Sequence, residues 1–115
     1  MDLDKCIFCQ IAKGETPARI VYKDDEIVAF EDVNPQAPVH ILLAPRRHIP
    51  SIRELSGKDK DVIGKIYLVA KEIARDKNIE DGFRIVVNSG VGAGQSVGHL
   101  HFHLLGGRRF RWPPG

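Results

Sequence analysis

The sequence predicts an α+β domain, an antiparallel sheet of five strands with one long helix and a short N-terminal helix. Five short β-competent stretches are separated by turn residues, one long segment repeats apolar residues at helical spacing, and 115 residues suffice for a single core. Residues 5–12 read as helical turns with Ile7, Phe8 and Ile11 on one side, stopped by Gly14 and Pro17, and form an N-terminal strap. Residues 18–23 and 26–31 are strand-like runs around Asp24-Asp25, which predicts a tight hairpin. Two prolines then break the chain between Asp32 and Pro38, and Val39 to Ala44 resumes as a third strand carrying His40. Ser56-Gly57-Lys58-Asp59 resembles a capping box, and Val62, Ile63, Ile66, Tyr67, Val69, Ala70, Ile73 and Ala74 mark the long helix. Phe83 to Asn88 is the fourth strand, and the ten residues from Ser89 through Gly98, four of them glycines, lead into the fifth, His99 to Leu104. Residues 106–115, rich in Gly, Pro and Arg, are expected to be an irregular tail of this single domain spanning residues 1–115.

Charge and composition narrow the function. Seventeen Lys and Arg against fifteen Asp and Glu leave +2, without the broad basic footprint of a nucleic-acid binder. The longest apolar run, Val39 to Pro45, is too short to span a bilayer and is interrupted by His40. The N-terminus has no basic segment followed by an apolar one, so no secretion signal is read and a cytoplasmic, soluble protein is expected. In such a compartment Cys6 and Cys9, in Cys-x-x-Cys spacing, point to a metal or redox role in preference to a structural disulfide. A domain this small buries a modest core, so association into a homodimer is expected.

All five histidines fall in two stretches, His40 with His48 and His99 with His101 and His103. On an extended strand the last three would form a row on one face, ~6.6 Å apart, while Leu100, Phe102 and Leu104 enter the core. Three chemistries fit: a solvated polar face, a metal hydrolase, and nucleophilic catalysis by imidazole. Metal bonds of ~2.1 Å cannot gather three rings from one straight strand, and no carboxylate follows to complete a ligand set. A neutral imidazole attacks phosphorus well and leaves again, and the neighbouring histidines can stabilise phosphoryl oxygens or donate a proton. The glycine-rich loop immediately upstream can turn backbone N–H groups toward a phosphate, and Gln95-Ser96 adds polar groups at its end.

His99-Leu-His-Phe-His-Leu-Leu105 resembles the signature of the histidine triad (HIT) family. The resemblance extends through Asp32-Val-Asn-Pro-Gln-Ala-Pro-Val-His40, Pro45-Arg-Arg-His-Ile49, Val86-Val-Asn-Ser-Gly90, Gly94-Gln-Ser96 and Trp112-Pro-Pro-Gly115, the last being typical of its nucleotide-binding branch. It implies a HIT-like fold dimerising into a ten-stranded sheet, and hydrolysis of purine nucleoside phosphoramidates through a nucleotidyl-histidine intermediate without a metal in the chemistry. By the same resemblance His101 is the nucleophile, His103 binds the α-phosphate, and His99, His40 and Ser96 complete the catalytic group. Asp32 takes the ribose hydroxyls, Asn88, Gly94, Gln95, Ser96 and Val97 follow the phosphate path, and Phe8, Ile11, Phe30, Val33 and Leu42 wall the base pocket. The AMP or GMP moiety is the expected partner. Gly98 stands where the eukaryotic branch carries an aromatic residue. Cys6-Ile-Phe-Cys9 instead resembles bacterial and archaeal members, in which two such cysteines, here joined by His48 and His99, hold a structural zinc. That set requires strand twist near residue 99 to separate the His99 ring from His101. Two rival functions are a dinucleoside polyphosphate hydrolase and a nucleotide-binding regulatory module with incidental turnover.

Overall fold

The computed structural model describes residues 3–115. Helix α1 spans Ile7–Lys13 behind a 3₁₀ turn at Leu3–Lys5, and α2 spans Lys60–Asp76. Strands β1 (Ile20–Lys23), β2 (Ile27–Glu31), β3 (Val39–Pro45), β4 (Phe83–Val87) and β5 (Phe102–Gly106) form one sheet in the order β1-β2-β3-β5-β4, every neighbouring pair antiparallel. The expected α+β class, its five antiparallel strands and its two helices are present.

Alternation along the strands sorts the core into two layers. Ile27, Ala29, Ile41, Leu43, Phe102 and Leu104 face α2 and pack with its Ile66, Val69, Ala70, Ile73 and Ala74. The intervening Val28, Phe30, Leu42 and Ala44 face the other way, against Phe8, Cys9, Ile11 and Ala12 of α1. Cover on both faces explains why β2 and β3 read as nearly unbroken apolar runs. The same parity places His40 on the α1 face, two residues before Leu42, and the pairing of Leu42 with His103 brings that histidine alongside.

Local chemistry sets the boundaries. The Asp24 carboxylate accepts from the Glu26 and Ile27 amides at 2.7 and 2.9 Å, closing the β1–β2 hairpin as expected for an Asp-rich turn. Ser56 N–H donates to the Asp59 carboxylate at 2.9 Å, forming the anticipated capping box on the 3₁₀ turn that leads into α2. Asp59 is buried and held by Arg47. Gly14 ends α1 with φ of 78°, a left-handed conformation suited to glycine. Gly106, expected to begin the tail, still pairs in β5 with Val39 and Phe83, and beyond it the chain has no helix or strand.

The fifth strand corrects one expectation. It begins at Phe102, three residues later than anticipated, so His99 and His101 lie in a bend before the sheet and the three histidines do not form a row. The Leu100 amide leaves the ladder to donate to Ile49 O at 2.7 Å, and the His101 ring folds back onto its own chain. The apolar half of the pattern stands: Leu100, Phe102 and Leu104 are buried.

Candidate active site

On the α1 side a cavity of about 690 Å³ opens between the strap, the end of β2, the loop after it and the start of β5. Of the anticipated nucleotide contacts, Phe8, Ile11, Phe30, Asp32, Val33, Leu42, Ser96, Val97, His101 and His103 line it. Asn88, Gly94 and Gln95 do not. The Gln95 carboxamide ties the glycine-rich loop together, accepting from Gly90 N–H at 2.8 Å and donating to Pro50 O and Val97 O. The loop itself turns through Gly90 and Gly94, whose φ values of 92° and 93° favour glycine. Sequence reasoning missed Ile7, Thr16, Pro17, Ala18, Arg19, Glu31 and Pro35 on the cavity wall. The Gly14 and Pro17 stop signals were visible, but only the tertiary return of that segment beside β2 makes it a wall.

Hydrogen bonds assign the imidazole protons. His101 Nδ1 lies 2.7 Å from the carbonyl oxygen of His99 and therefore donates, which leaves Nε2 with a free lone pair. His40 Nδ1 accepts from the Gln36 amide at 3.0 Å, so in the neutral ring Nε2 carries the proton. That proton is directed to His103 Nδ1 at 2.9 Å, with the Asp32 carboxylate 3.4 Å away. His103 must then carry its own proton on Nε2, as a donor. The free lone pair of His101 and the donor of His103 are thus neighbours, their rings 5.1 Å apart. Phe8 packs edge-on against His101 at 4.9 Å, limiting rotation of that ring.

Asp32, His40 and His103 also bring three donor atoms within 4.8 Å of one another, a spacing compatible with a metal ion. The Gln36 contact makes His40 Nε2 a hydrogen-bond donor, so the trio acts as a relay that orients His103.

Burial, with repulsion from His101 and His40, pushes His103 down to about 4, and burial against an opposing Asp32 also lowers His40. Both rings stay neutral at pH 7, as the relay requires. The consequence for stability has a definite sign. Between about pH 6.5 and 4 the unfolded chain protonates His103 and the folded one resists, and the lowered His40 acts in the same direction, so acidification through that window destabilises the fold. The expected slope is at most about 1.4 kcal/mol per pH unit for each histidine. Urea unfolding from pH 7 to 4.5 measures it. A flat profile, or one unchanged in His103→Asn, contradicts the assignment.

The second cluster lies behind α1. His99 points away from the cavity, donating from Nε2 to Pro45 O at 2.7 Å and turning its Nδ1 lone pair toward Cys6 Sγ and Cys9 Sγ at 3.3 and 3.6 Å. His48 Nδ1 is 3.4 Å from Cys9 Sγ. All four donor atoms lie within 4.8 Å of one another. The two rings, expected to diverge through strand twist, are separated by the bend before β5. Of the anticipated catalytic group, His99 contributes its backbone carbonyl to the site while its ring belongs to this cluster.

The family described as scavenger mRNA decapping enzyme C-term binding matches residues 5–109. The chain is 52% identical over 109 residues to an uncharacterized HIT-like protein of Synechocystis sp., covering 95% of this chain and 96% of that one. Among solved structures, a HIT family hydrolase from Legionella pneumophila superposes with a TM-score of 0.94 at 45% identity, covering 96% of this chain and all of that one. A histidine triad nucleotide-binding protein from Candida albicans superposes with a TM-score of 0.81 at 29% identity, covering 95% and 83%. With the cavity, the paired imidazoles and these likenesses together, the chain belongs to the histidine triad family.

Proposed function

We propose that this protein hydrolyses purine nucleoside 5′-phosphoramidates through a nucleotidyl intermediate on His101. The observation that carries this reading is the 2.7 Å bond from His101 Nδ1 to the His99 carbonyl, which turns an unprotonated Nε2 into a nucleophile beside the His103 donor. Nε2 attacks the α-phosphorus as the P–N bond breaks. The departing amine takes its proton through Ser96, which lines the cavity, and His103 Nε2–H stabilises the phosphoryl oxygens. Water then attacks phosphorus from the face the amine left, returning a proton along the Ser96 path as the bond from phosphorus to Nε2 breaks, which releases the nucleoside monophosphate and restores the lone pair. The apolar wall of Phe8, Ile11, Phe30 and Leu42 suits a purine, and Asp32 at the rim suits the paired ribose hydroxyls.

Steady-state hydrolysis of adenosine 5′-phosphoramidate against diadenosine triphosphate tests the assignment. The phosphoramidate is expected to be the better substrate by kcat/KM, and the reverse order favours a dinucleoside polyphosphate hydrolase. A separate prediction concerns Asp32→Asn. It is expected to weaken AMP by about tenfold, or ~1.4 kcal/mol, and 2′,3′-dideoxy-AMP much less, because only AMP presents the diol. Equal losses in calorimetric titrations would reduce Asp32 to a turn residue, a role consistent with its bond to the Asn34 amide at 2.8 Å.

We also assign a structural zinc to Cys6, Cys9, His48 and His99. Zn–S and Zn–N bonds of 2.1–2.3 Å give a tetrahedron whose edges are roughly 3.6 Å, and the S···N separations here are 3.3–3.6 Å. The His99 bond to Pro45 O is the outer hydrogen bond that orients a metal-ligating imidazole. Among the described residues His48 Nε2 is buried without a partner, so the cluster is what orients that ring. Zinc bound there would supply a closed, four-ligand cross-link and no position for water. We further propose a homodimer joined at β4, a sheet edge whose five residues are all partly exposed, with Phe83 at its start. The protein acts in the cytoplasm on this reading. Among the described residues no helix is long and apolar enough to cross a membrane.

A further inference from the structure

Helix α1 serves two places at once. Its Ile7, Phe8 and Ile11 line the cavity, while Cys9 and the N-cap residue Cys6 belong to the cluster with His48 and His99. At seven residues it is too short to persist unaided in water, so its position depends on what its side chains grip. A second connection runs through His99. Its ring faces the two thiols and its carbonyl holds the proton of His101, with Phe8 packed edge-on against both rings at 5.9 and 4.9 Å.

From this arrangement, and resting on the zinc and nucleotide readings above, we infer that the cysteine–histidine cluster is a regulatory site coupled to the nucleotide pocket. Zinc in the cluster and a purine nucleotide in the cavity raise each other's affinity. A nucleotide that buries its base on Phe8 and Ile11 must order the strap and fix the His101 ring. Zinc bound to Cys6 and Cys9 has already ordered both, so the conformational cost is met once for two ligands. Linkage makes the effect reciprocal, with the same factor in both directions. The protein is therefore built to lose nucleotide affinity when zinc is scarce, although no ligand of the metal touches the nucleotide with its side chain.

The test uses the full chain purified without an affinity tag. Zinc affinity is measured by competition with a chromogenic chelator, with and without saturating AMP. AMP affinity is measured by calorimetry on zinc-loaded and chelator-stripped protein. The expected result is a factor of about ten, equal in the two experiments. Hydrogen exchange supplies a readout independent of binding: stripping should remove protection from the amides of residues 7–13, leave β3, β5 and α2 protected, and be reversed in α1 by AMP. Zinc and AMP each binding with affinities indifferent to the other overturns the coupling and leaves both site readings intact. Protein that takes up no zinc overturns the metal reading and the coupling together, and loaded protein that does not bind AMP does the same for the pocket. Loss of protection throughout the sheet on stripping also overturns the inference, since linkage would then reflect global unfolding and not the strap.

Discussion

In His101→Ala, hydrolysis of adenosine 5′-phosphoramidate is expected to fall by about 10⁴-fold or more, while AMP affinity stays within about tenfold. The asymmetry follows from the site. In the proposed reaction His101 supplies the lone pair that forms the bond to phosphorus, and no other described histidine can take its place: His103 Nε2 carries a proton, His40 is committed to the relay, and His48 and His99 face the cysteines. The apolar wall, Asp32 and the His103 donor, which would hold the ground state, are untouched. Rapid acid quench of the wild type followed by intact mass measurement should trap one added nucleotidyl group, absent from the variant. Substantial residual turnover in His101→Ala would falsify the nucleophile assignment. A variant with an unchanged melting temperature but lost AMP binding would move the residue from catalysis to recognition.

Removing either thiol has the second large effect, and it falls on stability. On the zinc reading the wild type is expected to carry roughly one zinc per chain, and Cys6→Ser and Cys9→Ser are each expected to lose it and to melt on the order of 10 °C lower. The cause is the connection being cut. The cluster joins the strap, the segment after β3 and the bend before β5, which are distant in sequence, in a domain with a modest core. Replacing one small, apolar buried thiol by a hydroxyl would itself cost some stability, so the decisive comparison is with a chelator. It should lower the melting temperature of the wild type and leave that of either variant unmoved. Metal-free wild type whose melting temperature does not respond to added zinc ends the proposal. In the unloaded cluster, burial and the neighbouring Cys6 push the Cys9 thiol up to about 11, so zinc uptake at neutral pH has to release protons. A chelator-stripped protein in weak buffer should acidify on adding zinc.

Much of this architecture was legible in the sequence because it rests on local rules. The capping residues before α2, the Asp turn between β1 and β2 and the period-two burial of Leu100, Phe102 and Leu104 depend on neighbours a few positions away. So did the nearly unbroken apolar character of β2 and β3, although it could not say which faces are covered by which helix. The candidate site residues were found through residue type and motif, and ten of the anticipated contacts do line one cavity. What only the tertiary structure decided is how the histidines divide. Alternation along a chain predicts a common face for His99, His101 and His103 only while the chain is a strand, and the Leu100 amide bonding to Ile49 O ends that condition. The proton positions were likewise beyond the sequence, because an imidazole tautomer is set by whichever group faces its other nitrogen. Here those groups are the His99 carbonyl, the Gln36 amide and the Pro45 carbonyl, all backbone atoms placed by the fold and indifferent to the side chains that carry them.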